Sequence, residues 1–124
     1  MKVDGGVGFD LGSAALTALE AEAAGYDGVW SAETSHDPFF PLLLAAEHTE
    51  RVELGTGIAV AFPRSPMHLA HLGYDLQAYS GGRFLLGLGS QIRAHVEKRF
   101  SATWSHPAAR MRELILATRA IWDS

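Results

Sequence analysis

The chain has 124 residues, 48% of them apolar, a formal net charge of −4 and no cysteine. That length holds one modest domain, the apolar share excludes a disordered chain, and the acidic balance argues against general nucleic-acid binding, which needs a basic surface. Without thiols there are no disulfides and no thiolate metal sites, and a reducing compartment fits. No apolar run reaches the roughly 20 residues that span a bilayer, and the opening MKVDGGVGFD carries no secretory signal, so a soluble, cytoplasmic protein without membrane contact is expected.

KVDGGV, residues 2–7, is a short strand candidate. SAALTALEAEAA, 13–24, reads as a helix: Ser13 can cap it, alanine and leucine favour it, and Gly25 can end it in the left-handed conformation. YDGVWS, 26–31, is the next strand. Pro38 opens a helix that runs to about residue 49, with Pro41 still early enough to be accepted. VELGTGIAV, 52–60, is the third strand, and FPRSP a loop. Ser65 and Pro66 make an N-cap with a first-position proline, predicting a helix over 66–79. SGG at 80–82 breaks it, RFLLGLG at 83–89 is the fourth strand, and a polar loop over 90–104 leads to a last helix over 106–122.

The order βαβαβαβα with short connections means parallel strands, right-handed crossovers and helices covering the sheet. GVW and FLLGLG are continuously apolar, as strands buried on both faces are. Three places approach the dinucleotide fingerprint G-x-G-x-x-G, at Gly6, Gly55 and Gly87, but Leu11, Val60 and Ile92 stand where the last glycine belongs. No P-loop is present either. The remaining solution is a TIM (β/α)8 barrel, which takes roughly 250 residues. The chain is therefore expected to be one α/β domain, the (β/α)4 half of such a barrel. A half barrel leaves two strand edges and an apolar inner face open. A second copy, a complementary half-barrel chain or the other half of a longer parent is expected to cover them.

In a barrel the functional groups stand at the C-terminal strand ends. SAETSHDPF, 31–39, follows the second strand there and carries Glu33, His36 and Asp37. Asp37, just before Pro38, reads first as a helix N-cap. Glu33 is either a hydrogen-bonded turn residue or a functional carboxylate. His36 can donate, accept or move a proton near neutral pH, and a structural role stands beside that one. His68 and His71 are one turn apart but have no acidic partner at metal-binding spacing, so no metal is expected. His48 ends a helix, where a cation complements the dipole. Arg93, His95, Lys98 and Arg99 form a small basic cluster, a solvated loop or a seat for an anionic tail. No nucleophile elbow exists for acyl transfer.

GYDGVW at 25–30, ERVELGTGIAVAFPRSP at 50–66, LQAYSGGRFLLGLGSQ at 76–91 and HPAARMRELILATRAIW at 106–122 occur in that order. Together they resemble the luciferase-like monooxygenase superfamily, most of all the branch using the deazaflavin coenzyme F420, and they match its N-terminal half. The resemblance implies an oxidoreductase that transfers a hydride between reduced F420 and a small organic substrate, with an FMN-dependent monooxygenase or a non-catalytic half-barrel fragment as alternatives. It implies that His36 faces the reactive edge of the ring and that His36 or Glu33 gives the proton. It implies a non-proline cis peptide at Gly57-Ile58, with Ala59 and Val60 beside it, backing the ring. It also implies that Gly89, Ser90 and Gln91 touch the cofactor's ring and side chain.

Overall fold

The computed structural model describes all 124 residues. In chain order it forms β1 (Asp4–Gly6), α1 (Leu11–Ala23), β2 (Gly28–Ser31), α2 (Phe39–His48), β3 (Glu53–Thr56), β4 (Ala59–Val60), α3 (Pro66–Tyr79), β5 (Phe84–Leu85), β6 (Leu88–Gly89), α4 (Arg93–Lys98) and α5 (Pro107–Asp123). Strands β1, β2, β3 and β5 lie side by side in sequence order, all parallel. A doubly wound sheet would reverse its strand order partway. Here the order never reverses, so right-handed crossovers put every helix on the same face, as in consecutive units of a barrel. The helices follow suit: α1 packs on α2, α2 on α3, and α3 on α5.

The register explains the layering. Val29, Leu54 and Phe84 lie in one row across the sheet, all buried. They pack into one cluster with Ala14, Leu42, Leu69 and Leu114 of the helices. Each such Leu or Val contributes about 1.5–3 kcal/mol relative to exposure. The row of opposite parity, Gly6, Trp30, Gly55 and Leu85, faces the barrel interior. The Trp30 ring lies so close over Gly55 that a Cβ there would collide with it, and its Nε1 donates to Asp4 at 2.9 Å.

Four expectations shift. Helix α1 starts at Leu11 because Asp10, as good a cap as serine, accepts the Gly12 N–H at 3.0 Å; the Ser13 hydroxyl only bonds back to the Asp10 carbonyl. Gly25 does end α1, at φ 89°, with the Tyr26 N–H reaching the Ala21 carbonyl at 3.0 Å. The third and fourth strands are each broken in two, β3/β4 at Gly57 and Ile58 and β5/β6 at Leu86 and Gly87. Across the break the Thr56 hydroxyl bridges both backbone groups of Gly87, accepting its N–H at 2.9 Å and donating to its carbonyl at 2.8 Å. The upper halves then pair with each other, Ala59 with Leu88 and Val60 with Gly89. Finally, the loop over 90–104 contains the short helix α4.

Strand β1 pairs only with β2, and β5 only with β3, so both edges are open. Beside β5 runs an apolar groove of about 680 Å³ between α3 and α5, lined among others by Phe84, Leu86, Leu88 and Trp122. No helix is long and apolar enough to cross a membrane.

Candidate active site

Three strand ends meet at the upper rim. The Glu33 N–H reaches the Ile58 carbonyl at 3.1 Å, the Gly57 N–H reaches the Ser31 carbonyl at 2.7 Å, and the Ala61 N–H reaches the Gly89 carbonyl at 2.9 Å. Glu33, the Gly57–Val60 turn and Gly89 are therefore neighbours across β2, β3/β4 and β6. The Gly57-Ile58 peptide is cis. Gly57 is exposed toward the interior, while Ala59 and Val60 are buried. A Cβ on Gly89 would run into the Ile58 side chain, so glycine lets the two strands approach closely here. Ser90 and Gln91 follow, both half-buried; Gln91 sits at φ 61° and its Oε1 accepts the Ile92 N–H at 3.2 Å.

Glu33 is buried, 8% exposed, and both its oxygens are taken. Oε1 accepts the Val60 N–H at 2.6 Å and an Arg64 Nη1 hydrogen at 2.7 Å; Oε2 accepts from Arg64 Nη2 at 3.0 Å. This is a forked carboxylate–guanidinium pair, the strong form of such contacts. His36 is exposed, and its ring stacks on Phe9 of the β1–α1 loop at 5.8 Å and 26°. Asp37 caps α2: its Oδ1 accepts the N–H groups of Phe39 at 2.7 Å and Phe40 at 3.1 Å.

The remaining candidates lie elsewhere. His68 and His71 line an outer groove between α2 and α3, and no group of three or more metal-binding side chains exists. The His48 ring bonds to the Leu44 carbonyl at 2.9 Å, at a helix end as expected. In the basic cluster, Arg93 pairs with Glu97, and Arg99 donates to the Thr34 carbonyl, tying α4 to the His36 loop.

Sequence reasoning missed three residues of the rim. FPRSP reads as a plain loop, although an arginine just past a strand end is a natural partner for a carboxylate on the neighbouring loop. Phe9, an apolar residue among glycines, carried a visible signal. Thr56 carried none, because a hydroxyl that bridges a broken ladder looks like any strand threonine.

The family model for luciferase-like monooxygenase matches residues 2–124. A protein of Mycobacterium tuberculosis strain H37Rv is 62% identical over 98% of the chain, and the match covers 36% of that protein. A second protein of the same organism, described as a putative coenzyme F420-dependent oxidoreductase, is 38% identical over 82% of the chain and 30% of its own length. The chain thus spans about a third of the length of these curated relatives. The crystal structure of a monooxygenase from Streptomyces bottropensis superimposes with a TM-score of 0.87 at 26% identity, covering 100% of this chain and 44% of that one. The parallel sheet in sequence order, the broken third and fourth strands and these matches agree: the chain is a half barrel and belongs to the luciferase-like monooxygenase family.

Proposed function

We propose that the upper rim is half of the cradle for a deazaflavin ring, in an oxidoreductase that transfers a hydride between reduced F420 and a small organic substrate. One observation carries this: the exposed Gly57 backbone belongs to a turn whose Ile58 lies against Gly89, and main-chain bonds from Gly57 to Ser31 and from Glu33 to Ile58 tie that turn to the loop that carries the exposed His36 imidazole. A flat, largely apolar ring fits such a surface, and the space beside Gly8, just past β1, is open, with nothing within 4 Å of where a Cβ would point. The 38% identical relative described as a putative F420-dependent oxidoreductase supports F420 over FMN. When bound, the cofactor supplies the hydride chemistry.

The chain's own residues supply the rest. Gly57, Ile58, Ala59 and Val60 back the ring; Gly89, Ser90 and Gln91 line its side. His36 holds or delivers the proton at the exposed rim. Glu33 holds the rim instead of giving a proton, because both its oxygens are already engaged by Arg64 and the Val60 N–H. A second copy, or a complementary half-barrel chain, covers the open edges of β1 and β5 and completes the cradle.

Titration with F420 and with FMN, following ring fluorescence, tests the reading. A response to F420 at micromolar protein supports it, and a response to FMN alone transfers the site to FMN chemistry. Silence from both, well above micromolar, leaves a fragment that acts by association. Light scattering reads the partner: a strictly monomeric, well-folded species would overturn the covered-edge proposal.

A further inference from the structure

We propose that Arg64 is the positioning residue of the rim, a side-chain strut that stands in for a missing strand and holds the His36 loop at both ends. The inference deepens the reading above and rests on it for its functional half. Strand β2 leaves the sheet after Ser31, and its last main-chain bond on that side is from the Glu33 N–H to the Ile58 carbonyl. Beyond that point Val60 has no strand neighbour on the β2 side. Its N–H goes to Glu33 Oε1 at 2.6 Å and its carbonyl accepts from Arg64 Nη1 at 2.8 Å. The ion pair therefore carries on the ladder with side chains where the backbone has turned away.

The same guanidinium reaches the far end of the loop. Arg64 Nη2 lies 3.6 Å from Asp37 Oδ2, and the guanidinium carbon sits 5.2 Å from the centre of the Phe39 ring at the start of α2. Glu33 precedes His36 by three residues and Asp37 follows it by one. One cation thus clamps the segment on both sides of the imidazole and fixes it against the β4 backbone that flanks the cis peptide. The Arg64 side chain is 17% exposed and that of Glu33 6%, so water does little to relax the arrangement.

A plain stabilising salt bridge is the competing account. Buried ion pairs are weak evidence for stability, because desolvation offsets much of their attraction. What they can fix is geometry, and this one uses the planar fork: an ammonium carries its three donors on one nitrogen and cannot match the two parallel Nη bonds to the carboxylate while also reaching the carbonyl in the same geometry. Arg64→Lys keeps the charge and the fold while losing the fork, which makes it the informative variant; Arg64→Met removes both.

The test compares amide hydrogen exchange and cofactor affinity in the full-length protein and both variants, with F420 and FMN as probes. In Arg64→Lys, exchange over residues 33–40 and 57–61 is expected to rise about tenfold or more, while Val29 and Leu54 at the sheet centre stay within about twofold, the pattern of local opening. The dissociation constant of whichever ring binds is expected to rise about tenfold, with Arg64→Met worse on both counts. Exchange that rises evenly across the sheet, or rim exchange that does not change, would sink the positioning role and leave a stabilising contact. If the unaltered protein binds neither ring, the proposed function fails on its own, and the exchange pattern still decides whether Arg64 holds the rim.

Discussion

The two rims of the sheet use the same two residue types, a glutamate and an arginine, to opposite ends. At the lower rim, Glu22 at the end of α1 accepts the N–H groups of Arg51 at 2.7 Å and Val52 at 3.0 Å, and of Glu50 at 3.1 and 3.2 Å. Arg83 donates five bonds, to the carbonyls of Ser80, Val52, Ala46 and Thr49 and to the Thr49 hydroxyl. Those partners are the orphan groups of a helix end and a strand start, and nothing with spare chemistry stands among them. At the upper rim, Glu33 and Arg64 bind each other and Val60, Arg64 reaches on to Asp37, and beside them stand an exposed imidazole and bare glycine backbone. The lower pair closes an account of hydrogen bonds; the upper pair aims a loop. Strand N-terminal ends serve stability and C-terminal ends serve function in barrels of this kind, and here the difference is visible in what each charged side chain holds.

The comparison breaks most sharply at Arg83. Arg83→Met strands the carbonyls at the end of α2 and is expected to cost about 3 kcal/mol, or roughly 10 °C in Tm, by differential scanning fluorimetry. Ring binding per folded molecule should not change. A loss of ring affinity beyond the unfolded fraction would mean that the lower rim also shapes the site.

His36→Ala should do the reverse. The expected loss is about 100-fold in the rate of hydride transfer, with stability within about 0.5 kcal/mol, because an exposed residue stacked on one phenylalanine holds little together. Stopped-flow oxidation of reduced cofactor reads the rate. A rate within a few-fold of the unaltered protein would remove His36 from the chemistry.

Gly89→Ala sits between the two. The new methyl meets the Ile58 side chain, and overpacking of this kind costs about 1–3 kcal/mol. The clash is with a side chain, so adding Ile58→Ala should restore much of the stability in a double-mutant cycle. Ring affinity should stay weak in the double variant if the Gly57–Val60 turn backs the ring.

The half barrel itself was legible from the alternation of apolar strands with capped helices, and SGG and Gly25 marked helix ends correctly because they act locally. What stayed hidden was set by partners far along the chain. VELGTGIAV reads as one strand because nothing within it shows that Thr56 will bond Gly87, 31 residues away, and let the strand break. Asp37 was placed as a cap from its own neighbours. Glu33 could not be placed, since its role depends on Arg64, 31 residues on. His36 was visible as chemistry, but the Phe9 ring that orients it comes from another loop.

The smallest effect expected separates the rims by pH. Burial alone would raise the Glu22 carboxyl, but the backbone N–H groups of Arg51, Val52 and Glu50 and the Arg51 charge outweigh it and hold the group below its ordinary value. A folded-state value below the unfolded one means that the unfolded chain binds more protons in that window. The contribution is therefore complete above the unfolded carboxylate range, near about 4.3, and is lost as pH falls through the lower folded value. Glutamine in place of Glu22 keeps an oxygen to accept the same N–H groups but cannot titrate. Urea midpoints at pH 6 and at pH 3 should thus lie closer together for Glu22→Gln than for the unaltered chain, with the variant weaker at the higher pH. Midpoints that fall equally with pH in both proteins would show that the lower rim holds its backbone without help from the charge.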